Sequence, residues 1–120
     1  MEDKGQALVW KIKNGELGDV KMFVEKEGID VNIEVQGRLP LHYAADYGQT
    51  DVMEYLLSKG AKVNAEDKYG ITPLLSAIFE GHTSSVKLLM EKGADKSGKA
   101  PDGASYIDCA ESEDIKALLK

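Results

Sequence analysis

Two phrases thirty-three residues apart, GRLPLHYAADYGQ from Gly37 and GITPLLSAIFEGH from Gly70, constrain this chain more than any other feature. The same interval joins Gly37, Gly70 and Gly103, then Gly15, Gly48 and Gly81, then Leu8, Leu41, Leu74 and Ile107. A period of about 33 residues marks an array whose units bury their apolar faces only against one another. The second halves of the units repeat too: Val20, Met53 and Val86; Phe23, Leu56 and Leu89; Val24, Leu57 and Met90. Within each unit these fall at i, i+3 and i+4, the spacing of one helical stripe. A buried Leu or Phe contributes about 1.5–3 kcal/mol, so stacked layers can offset the chain entropy that defeats a unit alone.

The pattern predicts an all-α solenoid of helix-turn-helix units. One domain spans 1–120, with units at about 2–34, 35–67, 68–100 and 101–120. Pro40 and Pro73 suit the first position of a helix, where a missing N–H costs nothing. Thr72 supplies an N-cap oxygen. Gly48 and Gly81 separate the paired helices, and Gly60 and Gly93 end the second of each pair. Ala44 and Ala77 let neighbouring inner helices approach closely. The outer units depart from the pattern as polar-faced caps do. Lys11 stands where Ala44 and Ala77 sit, Tyr106 takes the proline position, Glu111 replaces a small or apolar residue, and DIKALLK arrives four residues early.

No apolar run approaches the roughly 20 residues of a membrane span, and the first residues lack the basic start and apolar stretch of a secretory signal. With the single Cys109 and no glycosylation sequon, the expected setting is a reducing cytoplasm. A net charge of -6 argues against nucleic acid and for a basic protein partner.

Pro-Leu-His at 40–42, Thr-Pro-Leu at 72–74, Lys-Gly-Ala at 59–61 and 92–94, and Val-Asn at 31–32 and 63–64 resemble the ankyrin repeat family. The phrases KNGELGDVK, PLHYAADYGQ, ITPLLSAIFEGH, VKLLMEKGADKSGKAPDG and IKALLK resemble a small four-repeat branch of it. That resemblance implies β-turn finger loops between units and binding, as a monomer, to the heterodimeric actin capping protein, which would be held off filament barbed ends. It also implies association with Rel-type transcription factors, and so a nuclear presence. A four-repeat inhibitor of cyclin-dependent kinases is the alternative of the same fold. The segment IEVQGRL before Pro40 lacks the paired glycines of the branch.

Such arrays bind through finger tips and the exposed side of inner helices. On that face the register places Trp10 and Tyr43 at equivalent positions, Asp46 and Tyr47 one turn on, and Phe79 and Glu80 as their equivalents in the next unit. Glu34, Arg38, Asp67, Lys68 and Tyr69 fall on or beside the fingers. Aromatics framed by carboxylates suit an interface with a basic protein. Tyr43 has an equally good reading as core, because its position is commonly a packed leucine.

Catalysis is not expected. Cys109 has no evident activating neighbour, His42 belongs to the repeat signature, and His82 follows the mid-repeat glycine. One cysteine and two dispersed histidines give no metal-ligand spacing, and no cofactor is implied. Residues 93–99 match a phosphate loop up to its last letter, where Ala100 replaces Ser or Thr. A helix ending at Gly93 and a finger opening at Pro101 are the wrong context for that motif.

Overall fold

A computed structural model describes residues 3–120, so the first unit's expected boundary at residue 2 lies outside the described residues. Its helices are α1 (Lys4–Lys13), α2 (Leu17–Glu25), α3 (Pro40–Asp46), α4 (Thr50–Ser58), α5 (Pro73–Phe79), α6 (Thr83–Glu91), α7 (Tyr106–Cys109) and α8 (Glu113–Leu119). The odd-numbered helices form an inner layer and the even-numbered ones an outer layer. Each helix packs on its partner within the unit and on its equivalent in the next, giving a body 43 × 24 × 21 Å. Among the described residues the only extended pairings are single bridges, Val35 with Arg38 and Lys99 with Ser105. None of the described helices is long and apolar enough to cross a membrane.

The repeat spacing becomes the core. Leu8, Leu41 and Leu74 stack through the inner layer, Val20, Met53 and Val86 through the outer, and all six are essentially inaccessible. Ala44 and Ala77 are also fully buried, as close helix approach requires. Ile107, the fourth of the inner series, is only half-buried. No further unit stacks on it among the described residues.

Pro40 and Pro73 open α3 and α5. The Thr72 hydroxyl accepts the Leu75 N–H at 3.2 Å. Leu39, at the same place in the preceding unit, has no hydroxyl, and there His42 Nδ1 accepts the Leu39 N–H at 3.0 Å. In the last unit Tyr106 replaces proline, is buried, and pairs its hydroxyl with that of Thr72 at 2.9 Å, tying the cap to the body. At the other end Lys11 keeps its stem against the array and turns its amine to Asp19 at 3.0 Å and Glu16 at 3.7 Å.

Gly48 turns the chain between α3 and α4 at φ 65°, and a Cβ there would lie 2.7 Å from His82 Nδ1. Conformation and space both demand glycine.

The first finger solves the missing-glycine problem by shortening. Val35 and Arg38 exchange both backbone hydrogen bonds, at 2.8 and 3.1 Å, around a two-residue turn with Gln36 at φ 54° and Gly37 at φ 78°. Positive φ at both central residues is the type I′ hairpin. The next finger instead bonds the Asp67 N–H to the Ile71 carbonyl at 2.9 Å around three residues. The residue lost from the first finger is restored where α2 ends. There the Ile29 N–H donates to Phe23, six back, whereas the Ala61 N–H after α4 donates to Leu56, five back. The two irregularities cancel, so the inner helices stay in register.

Candidate functional site

The inner layer and the first two fingers enclose a groove of about 620 Å³. Tyr47, at the end of α3, Phe79, at the end of α5, and Tyr69, at the tip of the second finger, line it with rings 48%, 49% and 58% exposed. Glu80 and His82 border it beyond α5, and Ile71 contributes apolar wall. Successive units hold their helix ends at one level, so residues far apart in sequence meet here.

Arg38 makes the floor. Its Nε donates to Asp67 Oδ2 at 2.8 Å, Nη1 donates to Asp46 Oδ2, and Nη2 reaches Asp46 Oδ1 and Ser76 Oγ, each at 3.2 Å. One guanidinium thus joins the base of the first finger to α3, the second finger and α5. Burial by itself would lower the Arg38 pKa, but the hydrogen bonds to Asp46 and Asp67 outweigh it and hold the charge firmly. The Asp67 carboxylate has no exposed side-chain surface, and burial would push its pKa up. The N–H groups of Ile71, at 3.0 Å, and Tyr69, at 2.8 Å, together with Arg38, more than offset this and hold it below the ordinary carboxylate range.

The residues expected on the binding face therefore separate. Arg38, Asp46, Tyr47, Tyr69, Phe79 and Glu80 converge on the groove. Trp10 is 64% exposed on α1 but does not line the groove, and Glu34 is exposed on the first finger. Tyr43 is only 7% exposed and donates its hydroxyl to the Val35 carbonyl at 2.7 Å, so it braces the first finger from below. Asp46 and Arg38 are partners of each other rather than separate surface charges. Sequence reasoning missed Ser76. It occupies the repeat position held by Trp10 and Tyr43, and the change from a large ring to a small hydroxyl was the signal that something else fills that space.

His42 is structural. Its Nδ1 accepts from Leu39, so Nε2 carries the proton and donates to the Ala65 carbonyl at 2.9 Å. Burial keeps it neutral by lowering its pKa. His82 Nε2 likewise reaches the Asp46 carbonyl at 3.0 Å. Burial, then Asp102 and Asp108, pushes the Cys109 thiol up, the reverse of what a nucleophile needs. Gly93 follows α6, and Lys99 pairs with Ser105 in the third finger, so residues 93–99 do not lead into a helix as a phosphate loop does.

A family model described as ankyrin repeats (3 copies) matches residues 1–67, and an ankyrin repeat model matches residues 69–99. The chain belongs to the ankyrin repeat family. It is similar to myotrophin of Xenopus tropicalis, with 57% identity over 113 residues, covering 93% of this chain and 95% of that protein. It is also 43% identical over 94 residues to the 26S proteasome non-ATPase regulatory subunit 10 of Dictyostelium discoideum, covering 77% of this chain but 40% of that protein. To the probable 26S proteasome regulatory subunit p28 of Saccharomyces cerevisiae it is 38% identical over 104 residues, 84% of this chain and 46% of that protein. An ankyrin array of this kind is a protein-interaction module.

Proposed function

We propose that this ankyrin module binds the heterodimeric actin capping protein through its groove and, by steric occlusion, keeps it off filament barbed ends. The observation that carries the reading is the set of three half-exposed rings, Tyr47, Tyr69 and Phe79, gathered around one groove with Glu80 at its edge. Exposed aromatics grouped in this way are a common source of interface hot spots. Likeness to myotrophin over nearly the whole of both chains supports the choice of partner. Trp10, exposed on the first unit, would give a second anchor that lengthens the footprint along the array. Arg38, Asp46 and Tyr43 would shape the groove, leaving direct contact to the rings and Glu80. A net charge of -6 would speed encounter with a basic target and make association salt-sensitive. The protein would act as a cytoplasmic monomer, with the four units working as one domain.

The test is actin elongation from barbed ends in the presence of capping protein, with and without this chain. Restored elongation is expected. An unchanged elongation rate at saturating chain refutes the proposal.

A further inference from the structure

Several rings on the binding face already carry a cation. Lys13 Nζ lies 5.6 Å from the ring centre of Tyr47 and 5.8 Å from that of Tyr43, and Lys68 Nζ lies 5.1 Å from that of Tyr69. The Arg38 guanidinium sits 5.1 Å from the Tyr43 centre. Neither lysine is placed casually. Lys13 closes α1 and reaches across from the first unit to the second. Lys68 donates its backbone N–H to the Gly37 carbonyl at 2.8 Å, and its stem lies so close over Gly37 that a Cβ there would come within 2.3 Å of Cδ. Among the described residues Phe79 has no such cation, and Glu80 is in no ion pair, whereas Asp46 and Asp67 are both committed to Arg38. The groove therefore combines ring faces that attract cations with one uncommitted carboxylate.

We infer that the groove receives an arginine side chain of the partner, and that Lys13 and Lys68 cover the Tyr47 and Tyr69 faces until that guanidinium displaces them. A planar guanidinium can stack on a ring while its N–H groups reach a carboxylate, as Arg38 does with Tyr43 and Asp46. This rests on the groove being the partner site and adds what chemistry it selects. Neutralising either lysine, by substitution or by acetylation, uncovers a ring and strengthens binding. An exposed cation–π contact of the usual strength corresponds to about a two- to five-fold change in affinity.

The variants are Lys13→Gln, Lys68→Gln and, as a control of equal charge change, Lys87→Gln on the exposed side of α6. The first measurement is an NMR titration with N-acetyl-arginine amide and its uncharged citrulline analogue, following the ring signals of Tyr47, Tyr69 and Phe79. Shifts are expected with arginine alone, at about two- to five-fold lower concentration in Lys13→Gln and Lys68→Gln but not in Lys87→Gln. Equal shifts with citrulline, or an equal gain in Lys87→Gln, overturn the assignment. The second is the Kd of the same variants for capping protein. If the parent chain binds and the Lys13 and Lys68 variants bind no tighter than the Lys87 control, the lysine cover is refuted while the partner stands. If the parent chain does not bind, the partner is refuted, and the arginine titration alone decides the cation site.

Discussion

Replacing Arg38 by alanine tests the floor of the groove most directly. The Asp67 carboxylate has no exposed side-chain surface, and Arg38 itself is 17% exposed. Removing one member of a buried ion pair costs about 3–5 kcal/mol, because the other charge is left without compensation. Asp67 would still accept from the Tyr69 and Ile71 N–H groups, which places the expected loss at the lower end, about 3 kcal/mol. That is a large share of the roughly 5–15 kcal/mol that holds a domain of this size together. Asp46→Ala should cost only about 1 kcal/mol, since its carboxylate is 23% exposed and Arg38 keeps Asp67. Arg38→Lys should recover less than half of the alanine loss, because one ammonium cannot span Asp67, Asp46 and Ser76. Urea unfolding followed by far-UV circular dichroism, with unchanged m, reports these differences. The pH dependence has a definite sign. A carboxylate held below its unfolded value of about 3.9 stabilises above that pH and loses the contribution as pH falls through its folded value. The gap between parent and Arg38→Ala should therefore narrow as pH falls below about 4. An Arg38→Ala protein within about 1 kcal/mol of the parent, or an equal loss from Asp46→Ala, would refute the reasoning, since either result removes the burial of Asp67 as its source.

Gln36→Asn should stabilise the chain by about 0.5–1 kcal/mol, because asparagine tolerates the left-handed φ of 54° that the first finger imposes; a loss of stability in urea would contradict the type I′ assignment. His42 should titrate below its ordinary value of about 6.5, so the unfolded chain binds the extra proton first and stability declines as pH drops from about 6.5 toward the folded value. Its ring NMR signals check this, and a midpoint at or above about 6.5 counts against the buried neutral ring. Phe79→Ala should weaken capping-protein binding by about ten-fold or more while leaving the urea midpoint nearly unchanged, the ring being 49% exposed; unaltered affinity would take Phe79 out of the interface.

The helix pairs, their proline starts, the glycine corners and the stacked leucines were legible in the sequence because they depend on local geometry and a fixed period. Leu8, Leu41 and Leu74 face the same neighbours in every unit, so repetition exposes them. The same register put Tyr47, Phe79 and Glu80 on one side of the molecule. Tyr43 was legible only as a choice between core and surface, and the choice turned on whether a carbonyl, that of Val35, lay within reach of its hydroxyl. The Arg38 clamp was not legible at all. Its partners Asp46, Asp67 and Ser76 lie 8, 29 and 38 residues away, none of them a multiple of the period. They meet because stacking brings the base of the first finger, the end of α3, the second finger and the middle of α5 to one place. Periodicity determined which residues could share a face, since it acts through backbone spacing. Tertiary packing decided which of those charges would be spent on one another, since that depends on distances and burial that no interval along the chain encodes.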